Sequence, residues 1–157
     1  MWIALFQVML EQGDYTSAET WFEGLPQRGN PEFGRTEETL NRAWLAHIRD
    51  QTPATRVALD AALRDYTQIE NHDRDQHLYI LASLGNVDDV FGLYRQMIDD
   101  GWRIERAYPW LPAFAPVRKD PRIGKVFTAM KLVDYWREVQ WPDKCGPGEN
   151  EQVVCFR

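Results

Sequence analysis

The sequence predicts an all-α protein: antiparallel helix pairs piled in series and closed by a helical cap. Three observations carry this. Apolar residues recur at three-and-four spacing through most of the chain, the period of a one-sided helix. Turn signals at residue 13, near 50 and at 85 fall about 35 residues apart, the length of one helix pair with its connections. Residues 110–145 then break the period with an Asp-Pro helix start and a Trp-Pro stop. No strand is expected.

Residues 2–12 place Trp2, Leu5, Phe6, Met9 and Leu10 on one helical face. Gly13-Asp14-Tyr15 turns the chain, a second helix carries Ala18, Trp21, Phe22 and Leu25, and Asn30-Pro31 ends the unit. Small residues let the two helices approach closely while large ones fill the gaps on either side. Gly13-Asp14-Tyr15 followed by Ala18 and Phe22 resembles the middle of a tetratricopeptide-repeat (TPR) unit. Residues 26–36 read as the loosest linker, an ordered loop pinned by Phe33.

In the second pair, Leu40, Ala43, Trp44, Leu45 and Ile48 form one face. Gln51-Thr52-Pro53 breaks it, with Thr52 as the cap and Pro53 at the first helical position. Val57, Ala58, Ala61, Ala62, Leu63 and Tyr66 follow as a small-residue face. The third pair runs through Leu78, Ile80, Leu81 and Leu84, turns at Leu84-Gly85-Asn86, and resumes with Val87, Val90, Phe91, Leu93, Tyr94, Met97 and Ile98. Gly101 is its stop. Each pair is too apolar on one side to stand alone, so stacking is what makes the fold.

Residues 102–116 hold Trp102, Tyr108, Pro109, Trp110, Pro112, Phe114 and Pro116, and cross from the last pair into the cap through a short helix or turn. The cap starts at Asp120-Pro121 and continues with Ile123, Val126, Phe127 and Met130, then Leu132, Tyr135 and Trp136. Trp141-Pro142 stops it. Residues 1–101 are therefore expected to form the repeats and 102–157 the cap and tail, packed as one domain.

This ending resembles the C-terminal region of bacterial TPR proteins that serve as sensor or accessory parts of membrane-tethered winged-helix transcription regulators and adenylate-cyclase-like proteins. The matching residues are Pro116, Arg118, Asp120, Pro121 and Arg122, then Leu132, Tyr135 and Trp136, then Trp141, Pro142, Asp143 and Cys145. They cover about a quarter of the chain. Ile123 stands where the pattern has Phe, Lys131 where it has Gly, and Lys144 where it has a second Phe. The resemblance implies a right-handed TPR-like superhelix of about three helix pairs. It makes Arg118, Asp120, Pro121, Arg122, Tyr135, Trp136, Trp141 and Pro142 structural cap residues. It also implies a longer, membrane-tethered parent, and the chain does open directly into a helix pattern with no helix-start residue before Trp2.

Composition narrows the function. A chain of 157 residues supports one domain with a real core, and seven Trp ask for large helix interfaces. A net charge of −6 with no Lys/Arg run longer than two excludes a basic nucleic-acid surface. The most apolar run, residues 1–10, is half the length a membrane span needs and contains Gln7. It lacks a basic leader and a cleavage site as well.

Cys145 and Cys155 are the two cysteines, with nine residues between them in a Gly-Pro-Gly-containing stretch that closes easily. The pair is expected to close a disulfide, which would place the domain in a periplasmic or otherwise extracytoplasmic compartment; the alternative is two free thiols in a cytoplasmic tail. Two thiols without a nearby His make half a zinc shell, and no metal is expected there.

His72, Asp73, Asp75 and His77 invite a metal reading, but on one helix residues 72 and 77 point far apart, and Asp73 with His77 are too few ligands. His47, beside Trp44, reads as a packing residue. No nucleophile elbow, phosphate loop or zinc-protease motif is present, so no enzyme activity and no cofactor are expected. The first helices of TPR-like pairs line a concave groove. Arg42, Arg49, His72, Asp75 and Tyr79 are the candidates there, a mixture suited to an extended peptide or a segment of a partner protein. The expected function is a non-catalytic interaction scaffold. The alternative is a small-molecule sensor with an aromatic pocket near Trp102, Tyr108 and Trp110, between repeats and cap.

Overall fold

The computed structural model describes residues 8–10, 12–23, 31–148 and 152–155, with side chains at 8–10, 12–21, 34–148 and 152–155. Trp2, Leu5, Phe6, Leu25, residues 26–30 and the side chains of Phe22 and Phe33 lie outside the described residues. The described chain is mostly helical, as expected of an all-α protein, and has one small two-stranded sheet. It divides into two compact units, Met1–His72 and Asp73–Arg157. The division falls before the third helix pair.

The first unit holds helical residues 8–10, then α1 (Tyr15–Glu23), α2 (Pro31–Asp50) and α3 (Pro53–Thr67). Gly13 takes φ 69°, and the amides of Gly13 and Asp14 reach back to the carbonyls of Leu10 and Met9. That is a Schellman end, which needs a left-handed residue. Asp14 then caps α1 by accepting from the Ser17 amide, and Ala18 is fully buried. Residues 31–36 are helical, not linker: Pro31 starts α2, as suits a proline at a first helical position.

The second pair turns as its cap residues dictate. Gln51 adopts φ 46°, Thr52 and Thr55 form a reciprocal capping box, and Pro53 opens α3. His47 Nδ1 lies 3.1 Å from Thr55 Oγ1, so this histidine helps hold the turn. Leu40, Trp44 and Leu45 of α2 are buried, as their spacing requires. On α3 the buried face is Leu59, Ala62 and Tyr66, while Val57 is 68% exposed. Of the expected face, Ala62 and Tyr66 are buried, Ala61 and Leu63 are half-buried, and Val57 and Ala58 face solvent.

The second unit begins with α4 (Arg74–Ser83) and α5 (Val87–Asp99). Asp73 caps α4 by accepting from the amides of Asp75 and Gln76. Gly85 (φ 71°) and Gly101 (φ 66°) each close a Schellman end, with Gly85 and Asn86 bonded to Ala82 and Leu81, and Gly101 and Trp102 to Ile98 and Met97. Leu78 through Ala82 are all buried. A helix apolar all round is an interior helix. Two 3-10 turns (Tyr108–Trp110 and Pro112–Phe114) follow, and the second packs on α4.

Helices α6 (Ala115–Lys119), α7 (Ile123–Ala129) and α8 (Leu132–Glu138) complete the helical part of the unit. Arg118 is the pin: it is buried, and its Nη1 donates to the carbonyls of Pro109 and Leu111. Asp120 sits in the turn before α7, where its carboxylate accepts from the Arg122 amide and guanidinium. Pro121 lies in that turn and α7 starts two residues later. The Arg122 guanidinium also reaches Asp88 at 2.8 Å and lies 4.4 Å from the Phe91 ring centre, tying α7 to the first turn of α5.

Lys131 carries φ 60° between α7 and α8. The backbone there is the left-handed one a glycine would adopt, held by a lysine at a steric cost of about 1 kcal/mol. Ile123, Val126, Phe127, Val133 and Trp136 are buried, while Tyr135 is 56% exposed and does not enter the core. Trp110 stacks on Phe127, and Trp136 packs edge-on to both and against Trp141.

The tail forms two strands where the sequence pattern predicts none. β1 (Cys145–Pro147) and β2 (Val153–Cys155) pair antiparallel, with Cys145 opposite Cys155 and their sulfurs 1.98 Å apart. The two cysteines close a disulfide across the hairpin.

Candidate functional site

The expected groove residues fall into both units. On α2, Arg42 and Arg49 project seven residues apart into solvent. Arg42 pairs with Glu38 at 2.9 Å, and Arg49 with Asp50 at 3.2 Å. Exposed pairs of this kind hold a side chain's direction more than they stabilise the fold. His72 stands in the turn after α3, with Nδ1 3.2 Å from the Ile69 carbonyl and its ring edge-on to Tyr66. It is therefore not on the α4 helix with Asp75.

Asp75 and Tyr79 lie one turn apart on α4, in the second unit. Tyr79 is 4% exposed, its ring packed 6.4 Å from Tyr108 and 6.3 Å from Phe114. The crossing segment has occupied the face of α4 that the helix register leaves open. Tyr79 can meet a partner only if that segment moves aside.

Asp75 is the most perturbed acid of this unit. Burial pushes its carboxyl up to about 6, the charges of Asp73 and Glu105 add to the shift, and the Glu105 amide donating to it works the other way. Its Oδ1 and the hydroxyl of Tyr94 are both buried without a hydrogen-bond partner among the described residues. Burial, and then the Asp75 charge, push the phenols of Tyr94 and Tyr108 far above the ordinary tyrosine range. One carboxyl and two phenols, on α4, α5 and the first 3-10 turn, thus lie within electrostatic reach of one another. Spacing alone could not find this grouping, because Tyr94 reads as one more core aromatic.

The raised carboxyl pKa gives stability a signed dependence on pH. An Asp whose folded pKa lies above its unfolded one stabilises the fold fully below the unfolded value, near pH 4, and loses that contribution as pH rises through about 6. Asp75→Asn should therefore be more stable than the parent at pH 7.5, by about 1 kcal/mol after discounting for partial exposure. The difference should shrink toward zero by about pH 4. Urea titrations at the two pH values check it, and an equal difference at both would show that the charge of Asp75 is not what the variant removes.

A cleft of about 340 Å³ lies between the end of α5, the Trp102–Arg106 segment and the end of α7, lined by Ile98, Trp102, Ile104, Glu105, Arg106 and Met130 among others. Arg74 lies 5.0 Å from the Trp102 ring centre and pairs with Asp100 at 2.6 Å. Tyr108 and Trp110, expected beside Trp102, do not line the cleft.

Comparison with family profiles, with curated proteins and with solved structures finds no match to this chain. Among the described residues, no helix is long and apolar enough to cross a membrane.

Proposed function

We propose that this chain is a non-catalytic, TPR-like helical scaffold that holds a protein segment, as one part of a larger bacterial signalling or transcription-regulatory protein. One observation carries the reading. Left-handed residues end the first helix of three successive hairpins, at 13, 51 and 85, separated by 38 and 34 positions. Left-handed helix ends at this interval, of the Schellman kind at 13 and 85 and a single Gln51-to-His47 bond at 51, support a reading as repeated helix pairs, and stacked pairs serve as extended binding surfaces. In the first unit the side chains that such a surface offers are Arg42 and Arg49, cations suited to an acidic extended peptide. The Cys145–Cys155 bond supports an extracytoplasmic placement.

The test is selection of binders from a displayed library of extended peptides, followed by the double variant Arg42→Glu/Arg49→Glu. Affinity should fall at least tenfold, about 1.4 kcal/mol, with melting temperature unchanged. A library that yields no binder, or binders indifferent to both reversals, removes the assignment. The cleft beside Trp102 favours a second reading, a small-molecule sensor. A metabolite that raises the melting temperature of the parent but not of Trp102→Ala would select it.

A further inference from the structure

We infer that the Cys145–Cys155 disulfide is a redox latch that seats strand β2 on helix α7 and so decides whether the cleft between them exists. The contact is built for close approach. Val153 is 6% exposed and lies on Gly124 of α7: a Cβ placed at Gly124 would stand 3.4 Å from Val153 Cβ and 3.5 Å from its backbone nitrogen. Beside this contact a cleft of about 600 Å³ opens, walled by Pro121, Arg122, Gly124 and Thr128 on one side and by Gln152 and Val153 on the other. One wall is thus the first residue of β2 and the residue before it.

Besides α7, that strand touches α6. Three-residue strands in a two-stranded hairpin are marginal by themselves. The bond joins the two residues that face each other at the end of the ladder. It therefore fixes both the register of β2 and its distance from the buried Cys145, which is 4% exposed. Cys155 is the more open partner.

A thiolate of a dithiol reductant attacking Cys155 Sγ breaks the S–S bond, and Cys145 leaves as a thiolate and takes a proton. The second thiol of the reductant then displaces Cys155, which is protonated in turn, and closes the reductant's own disulfide. Two electrons and two protons pass to the cysteines. The same groups on either side of a closed or open bond give the cleft two states.

The experiment compares hydrogen exchange, fragment by fragment, in the oxidised full chain, in the chain reduced with dithiothreitol, and in Cys155→Ser. The probe is dithiothreitol itself, and two alkylated thiols verify complete reduction. Reduction and the variant should each raise exchange at least tenfold in the fragments covering 123–129 and 152–155, leaving 74–83 and 87–99 unchanged. Unchanged exchange in 123–129 after verified reduction overturns the latch, because β2 then stays seated without the bond. A rise spreading equally into 74–99 overturns it too, because the bond would then be a staple for the whole unit.

Discussion

Arg118→Met is expected to destabilise the second unit by about 2 kcal/mol. The methionine keeps most of the packing of the arginine stem but none of its donors. The Leu111 carbonyl would keep the Phe114 amide, but the buried Pro109 carbonyl would lose its donor, at about 1–3 kcal/mol. Against this stands the relief of removing a desolvated guanidinium, whose Nε has no partner among the described residues and whose pKa burial pulls down. The loss outweighs that relief, because the Pro109 carbonyl is left without a donor and the Leu111 carbonyl gives up one of its two. Urea titration followed by hydrogen exchange should show the midpoint falling for residues 73–157 and holding for 1–72. An unmoved midpoint would mean that water takes the place of Arg118 at the Pro109 carbonyl.

Phe114→Ala should cost more, about 4 kcal/mol. Phe114 is fully buried and lies parallel to the Tyr108 ring, 6.2 Å away, while both rings pack on Tyr79. Removing it opens a cavity where the crossing segment is pressed onto α4. The segment should loosen, and nitration of Tyr79, blocked in the parent, should become rapid. A variant as stable as the parent, with Tyr79 still protected, would show that Phe114 is not what holds the cover down.

Much of the helical plan is legible from single residues. Thr52 before Pro53, the glycines at 85 and 101, and the cysteine pair near the end each impose one local geometry, and each adopts it. Pro31 looks in sequence like the end of a unit, yet a proline can as well occupy a first helical position, as Pro53 does. The tail strands carry no period-two signal in three residues each. Their pairing comes from a covalent bond and from docking against Gly124, neither of which a local pattern shows. The α4 face is hidden from sequence for a third reason. Helical period says which residues share a side, but not that Tyr108 and Phe114, some thirty positions later, will return to cover it. Asp75 stands out in sequence for its place on the helix. The buried phenol beside it comes from a different helix and has no sequence signal of its own.

The indole cluster in the second unit has an optical consequence. Trp136 lies 6.1 Å from Trp110 and 5.6 Å from Trp141, with each pair of rings inclined, so their strong ultraviolet transitions mix and split. Such coupling adds a couplet to far-ultraviolet circular dichroism, superimposed on the helical bands. Ellipticity read as helix content alone would therefore misstate how helical the chain is, and loss of the couplet on heating would mark the moment the indoles part.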